Sequence, residues 1–197
     1  TSERAKGYNL LHLNALYDLH SRRYTDSLVQ PSRQSDEVGA FVTMIDRFPF
    51  DERAIFTADR GYESYNVLAH VAQRNMHYLI RVKQPGNNGI LHKLKLSLGS
   101  AFDLDFHIIL TRKQTKLVKA NPSLYRILPP KVRFDFCDLE YRLYYPLDFR
   151  VVSVEISPGV WEYLVTNLDR DSFPPAKLKK MYHQRWGIET AFRDLKH

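Results

Sequence analysis

The sequence has 197 residues, 44% of them hydrophobic, and its 29 Lys and Arg outnumber its 22 Asp and Glu by seven. This length and composition predict one folded domain with room for an insertion, and they exclude a disordered or low-complexity chain. The single cysteine, Cys137, excludes a disulfide framework and a multi-cysteine zinc site. No apolar run reaches the roughly 18 residues of a membrane span, and nothing at the N-terminus is typical of a signal peptide, so we expect a cytoplasmic protein.

Strand and helix patterns alternate over residues 1–83. Strands are predicted at residues 9–18, 23–30, 54–58 and 77–82. A helix is expected from Ser35, its predicted N-cap, to just before Pro49, and a second helix spans about 65–75. This mixed order predicts an α/β fold in which a mixed sheet is flanked by helices.

The turn-forming segment 84–89 (QPGNNG) breaks this pattern. Beyond it, strands are predicted at residues 102–111, 133–141, 150–156 and 161–166, with a turn at 157–159 joining the last two. We therefore interpret residues 84–168 as a β-rich insertion. Ser172 is then a plausible helix cap and Pro175 lies near the first turn, so a single final helix is expected from about residue 176 to the end, within a C-terminal segment of residues 169–197.

Positive charge is concentrated in residues 111–134, which contain no Asp or Glu. The seven basic residues there are Arg112, Lys113, Lys116, Lys119, Arg126, Lys131 and Arg133. Clustered cations beside aromatic side chains suit a phosphate backbone, because binding releases condensed counterions. A solvated basic face is the alternative explanation.

Two groups of residues are candidates for chemistry. Asp59 follows a predicted buried strand and precedes Gly61, where ligands bind in open α/β sheets, although an Asp at such a turn also caps it. On the final helix, Tyr182, Arg185, Glu189 and Lys196 share a stripe about 60° wide. A carboxylate among cations and a phenol suits a metal ligand whose neighbours hold phosphates, and a helix face with an ordinary i,i+4 ion pair is equally consistent.

The spacing Tyr182-x-x-Arg185-x-x-x-Glu189, followed by Lys196, resembles the Tyr–Arg–Glu–Lys signature of bacterial insertion-sequence DDE transposases. Residues 163–168 resemble a flanking segment of that family, and residues 57–62, around Asp59, resemble its second catalytic Asp motif. The resemblance covers most of the chain.

The resemblance implies an RNase H-like core, with 84–168 inserted between the parts that carry Asp59 and Glu189. It implies that these two carboxylates bind divalent metal, Mg²⁺ with Mn²⁺ as a substitute, for two-metal cleavage and joining of phosphodiesters. Tyr182, Arg185 and Lys196 would contact the phosphates of double-stranded transposon-end DNA. A homodimer is implied in the DNA synapse, which also holds target DNA, and the location would be the bacterial cytoplasm, at the nucleoid. From their charge, Arg112, Lys113 and Lys116 are added to the expected DNA-binding residues.

One family feature has no counterpart. The family's first Asp lies on a strand upstream of the strand predicted at 9–18, and no Asp precedes Asn9. Asp18 is not assigned this role because it lies at the end of what would be the second strand. We therefore expect an N-terminally truncated transposase that lacks one metal ligand and is inactive alone. A domesticated, non-catalytic DNA-binding protein and another RNase H-like nuclease are the alternative functions.

Overall fold

An antiparallel hairpin opens the computed structural model, which describes residues 10–49, 51 and 53–194. Strands β1 (Leu11–Asp18) and β2 (Arg23–Pro31) pair with Leu13 opposite Val29, and they form a separate two-stranded sheet. The alternating pattern predicted both strands. Their connection passes through Arg22, whose φ of 57° lies in the left-handed region.

Two capped helices follow the hairpin and pack on each other and on a buried strand. Helix α1 (Glu37–Arg47) begins after Asp36, whose carboxylate accepts a hydrogen bond from the Gly39 amide at 2.8 Å. The prediction of Ser35 as the N-cap is therefore wrong by one residue, because it is the Asp36 carboxylate that reaches the third amide of the helix. Strand β3 (Ile55–Ala58) comes next. Helix α2 (Tyr65–Gln73) then begins after Ser64, whose hydroxyl accepts from Asn66.

The main sheet contains six strands in the order β3-β4-β8-β7-β5-β6. Its remaining strands are β4 (His77–Val82), β5 (Phe102–Thr111), β6 (Tyr125–Ile127), β7 (Tyr144–Ser157) and β8 (Val160–Thr166). β3 is parallel to β4, while β4, β8, β7 and β5 pair antiparallel in turn. A mixed sheet flanked by helices confirms the predicted fold class. The strands within 84–168 extend the sheet that β3 and β4 begin.

Residues 133–141 do not form the strand that their alternation predicted. Phe134 and Cys137 are buried in the core. Their backbone carbonyls accept hydrogen bonds from the side chain of Arg112 and not from the backbone of a neighbouring strand. The Arg112 guanidinium donates to the backbone carbonyls of Pro129 (3.1 Å), Val132 (3.0 Å), Phe134 (3.5 Å) and Cys137 (3.3 Å). Upstream, the short helix α3 (Lys116–Ala120) and strand β6 occupy part of the basic stretch, and neither was predicted.

The predicted single final helix is two helices, α4 (Pro175–His183) and α5 (Trp186–Asp194). Between them the backbone tightens to i→i+3 hydrogen bonds, from Arg185 to Tyr182 at 3.0 Å and from Ile188 to Arg185 at 3.1 Å. Helical spacing cannot reveal this break, because the chain continues to turn in the same sense.

Both faces of the sheet are covered. On one face, α1, α2 and residues 133–137 enclose the larger apolar core. On the other face, Leu178 and Tyr182 of α4 pack against Leu79, Val152 and Leu164. No helix in the described part of the chain has the length and apolar character to cross a membrane. The sheet therefore lies between two layers, with the end of α4 near the end of β4.

Candidate active site

Asp59 lies immediately after β3, at its carboxyl end. Its Oδ1 accepts a hydrogen bond from the Arg60 amide at 2.5 Å and caps the single 3₁₀ turn Arg60–Tyr62. The capping role that the sequence allowed for Asp59 is therefore present, and so is the position at a strand end. An open groove of about 760 Å³ runs beside it. The groove is lined by Asp59, Arg60, Gly61, Glu63, Lys83, Asn87 and Asn88.

Arg81 links Asp59 to a second carboxylate. Arg81 Nε lies 2.9 Å and Nη2 2.7 Å from Asp59 Oδ1, and Arg81 Nη1 lies 3.0 Å from Glu162 Oε1. Burial alone would raise the pKa of the Asp59 carboxyl. The Arg60 amide, the Arg81 guanidinium and the more distant charge of Arg185 outweigh burial, so this pKa lies below its usual value of 3.8.

Tyr182, at the end of α4, and Arg185, which follows it, lie near the end of β4 that carries Arg81. Tyr182 is buried, and its hydroxyl has no hydrogen-bond partner among the described residues. Burial raises the pKa of Tyr182 to about 12, against the opposing charges of Arg185 and Arg81. The Arg185 guanidinium carbon lies 5.7 Å from the ring centre of Tyr182 and 5.1 Å from that of Trp186. Arg185 is thus a buried cation enclosed by two aromatic rings.

Glu189 extends this group onto α5. Its Oε1 accepts from Arg185 Nη1 at 2.9 Å, an i,i+4 ion pair in which 46% of the Glu189 side chain is exposed. The structure therefore joins three of the four predicted signature residues, Tyr182, Arg185 and Glu189. Lys196, the fourth, lies outside the described residues.

The predicted residues Arg112, Lys113 and Lys116 follow β5, toward the edge of the sheet opposite β3. Arg112 directs its donors at the backbone carbonyls of residues 129–137, while Lys116 is exposed and Lys113 is half-buried. This basic stretch is therefore separate from the group around Asp59.

The chemistry of Asp59 and Glu189 fits a hard divalent cation, because both are oxygen donors. The bonds described above to Asp59 all reach Oδ1, and Oδ2 accepts no hydrogen bond from the described residues. Within the described ranges, no three His, Cys, Asp or Glu side chains come together in a way that could hold a metal ion. Each of the two carboxylates is instead paired with an arginine.

Sequence reasoning missed Arg81 and Glu162. Both are charged residues within otherwise apolar strands, HYLIRV and VWEYLVT, and this was the available signal. Their pairing depends on β4 and β8 being neighbours, with Arg81 opposite Leu164.

The family model that describes the transposase DDE domain matches residues 1–197. The chain belongs to the transposase DDE domain family. No curated protein matches the sequence. The members of this family are transposases, enzymes whose substrate is DNA and which generally use divalent metal ions.

Proposed function

We propose that this DDE domain supplies catalytic residues to a transposase that cleaves and joins phosphodiesters at transposon ends, with Asp59 and Glu189 as metal ligands. The observation that supports this is the meeting of two distant segments. Tyr182 lies in one apolar cluster with Leu79 of β4, two residues before the Arg81 that pairs with Asp59, and Arg185 pairs with Glu189. Mg²⁺, or Mn²⁺ in its place, would activate the attacking oxygen and stabilise the leaving one.

The remaining residues of the site hold DNA in this proposal. Tyr182, Arg185 and Lys196 contact phosphates of a double-stranded transposon end, with Arg185 suited to two parallel hydrogen bonds. Lys113, Lys116 and Arg112 add a separate basic contact, and two copies of the domain meet on the DNA. Residues 1–83 and 169–197 form the catalytic core, and the insertion 84–168 extends its sheet.

Localised oxidative cleavage by iron tests the metal role without requiring activity. Fe²⁺ with ascorbate and peroxide cuts a protein backbone beside bound iron, so we expect cuts near residues 59 and 189 that Mg²⁺ suppresses. Asp59→Asn and Glu189→Gln should each abolish both cuts, while Asp148→Asn, at an exposed position on β7, should keep them. Cuts that are scattered, or indifferent to Mg²⁺, would contradict the proposal.

A second function is supported by the pairing of both carboxylates with arginine. In it the domain binds DNA without catalysis, and Arg81 and Arg185 neutralise Asp59 and Glu189 permanently. Fluorescence anisotropy with a labelled duplex separates the two functions when it is combined with the iron experiment. Salt-sensitive DNA binding without Mg²⁺-suppressed cuts would favour the non-catalytic function.

A further inference from the structure

Each proposed metal ligand is held by a guanidinium. Arg81 places two nitrogens on Asp59 Oδ1, at 2.9 Å and 2.7 Å, and Arg185 places one on Glu189 Oε1 at 2.9 Å. A guanidinium is a permanent cation, so its charge opposes the binding of a divalent cation to the same carboxylate, even through the second carboxylate oxygen.

Arg81 differs from Arg185 because it has a second carboxylate within reach. Its Nη1 lies 3.0 Å from Glu162 Oε1, on the neighbouring strand β8. Only 26% of the Arg81 side chain and 18% of the Glu162 side chain are exposed. A partly buried cation without a partner destabilises the folded protein. Glu162 can remain the partner of Arg81 if Asp59 no longer pairs with it.

We propose that Arg81 is a positioning residue that neutralises Asp59 until a divalent cation binds, and that Glu162 retains the guanidinium once Asp59 turns to the metal. The inference rests on the proposed function, in which Asp59 is a metal ligand. Because the Arg81 guanidinium can pair with either Asp59 or Glu162, the protein can fold without metal. After a metal binds Asp59, the guanidinium stays beside the site, paired with Glu162.

Titration of the whole chain with Mn²⁺, followed by the electron paramagnetic resonance of free Mn²⁺, tests this exchange in the absence of DNA. Arg81→Gln should tighten Mn²⁺ binding about tenfold, because the competing cation is gone. The matched control is Arg60→Gln, which removes an equal charge one residue from Asp59. The Arg60 side chain is exposed, so screening by solvent should limit its effect to less than about twofold.

Glu162→Gln separates exchange from a general effect of charge. In the wild-type background it should weaken Mn²⁺ binding about fivefold, because Arg81 then depends on Asp59 alone. In the Arg81→Gln background it should change the Kd by less than about twofold, since no guanidinium remains to be retained. If Glu162→Gln changed the Kd for Mn²⁺ equally in the two backgrounds, Glu162 would act only through the electrostatic effect of its charge on the metal. That result would overturn the proposal.

Circular dichroism and thermal melting establish that each variant folds, and Arg81→Met provides a second variant if Arg81→Gln does not. Methionine fills a similar volume and also removes the charge, so it should also tighten Mn²⁺ binding. Mn²⁺ binding that requires Asp59 and Glu189 but ignores Arg81 would overturn the exchange alone. If neither the wild-type protein nor any variant bound Mn²⁺, the proposed function would be overturned as well.

Discussion

Arg81 Nη1 lies 3.0 Å from Glu162 Oε1, across the junction between β4 and β8. Glu162 precedes Leu164, the register partner of Arg81, by two residues, so the side chains of Arg81 and Glu162 leave the same face of the sheet. Asp59 holds the other side of this guanidinium. Three consecutive strands, β3, β4 and β8, are therefore tied together at one edge by a single side chain.

Glu162→Ala should destabilise the protein by about 1–3 kcal/mol, because a partly buried guanidinium loses one of its two partners. Urea unfolding measures this change. Asp148→Asn is the comparison: it removes the carboxylate that lies 2.6 Å from His107 Nδ1, and the Asp148 side chain is 81% exposed. Because that pair is exposed, its loss should cost less than about 0.5 kcal/mol. Equal losses from the two variants would contradict the structural role of Glu162.

Tyr182→Phe should separate stability from DNA binding. The Tyr182 hydroxyl is buried without a partner in the described part of the chain, so its removal should leave the melting temperature unchanged or raise it. If the hydroxyl contacts a phosphate when DNA is bound, the affinity for a duplex should fall about tenfold. A variant that is destabilised but binds DNA normally would show that the hydroxyl is structural.

Among the three basic residues that follow β5, Arg112 should differ from Lys113 and Lys116 in its effect on folding stability. Arg112→Ala should cost about 2 kcal/mol or more of folding free energy, because it removes the donor for four backbone carbonyls. Lys113→Ala and Lys116→Ala should leave unfolding unchanged within about 0.5 kcal/mol. If these lysines contact phosphates, each substitution should lower the salt dependence of DNA binding by about one ion. Unaltered binding at low salt would assign both lysines to the solvated surface.

Glu63 closes the loop that borders the groove beside Asp59. Its Oε2 accepts from the Lys83 amide at 2.9 Å and its Oε1 from the Ile90 amide at 2.5 Å. Glu63→Gln offers one acceptor in place of two and should destabilise the protein by about 1–2 kcal/mol. Gly89→Ala should act in the same direction, because a Cβ there would overlap the Glu63 carboxylate. Hydrogen exchange at residues 83–90 measures the opening of the loop, and unchanged protection in both variants would contradict this role.

Asp138 should make stability depend on pH in acid. Hydrogen bonds from the amides of Tyr141, Glu140 and Arg142 lower the pKa of Asp138 from 3.8 to about 2. Because the folded-state pKa is the lower one, the stabilisation is fully present above about pH 4 and disappears as the pH falls through about 2. Asp138→Asn keeps an oxygen acceptor but not the charge, so its difference from wild type should shrink between pH 4 and pH 2. A difference that is independent of pH would rule out the charge as its source.

The sequence predicted what depends on local pattern. Strand β5 was expected over residues 102–111 and is observed there, because hydrophobic alternation and flanking turns determine it locally. The joint role of Asp59 and Glu189 as metal ligands rests on the family resemblance and stays a prediction. The pairing of Arg81 with Glu162 could not be predicted, since it depends on which strands become neighbours. Residues 133–141 have an alternation typical of a strand, but no strand forms there, and the carbonyls of Phe134 and Cys137 accept hydrogen bonds from Arg112.

The break between α4 and α5 has a consequence for the signature that spans it. Tyr182 is packed in the core, and Glu189 belongs to a separate, more exposed helix. The angle between the two side chains is therefore not determined by one continuous helix. Arg185 contacts both, through the Tyr182 ring and the Glu189 carboxylate. A one-residue insertion early in α5 would turn Glu189 by about 100° and break that contact, while the core around Tyr182 stayed folded. The position of the Glu189 carboxylate thus depends on how α5 packs, through Arg185 and through the contact between the Phe192 and Tyr24 rings, whose centres are 5.7 Å apart.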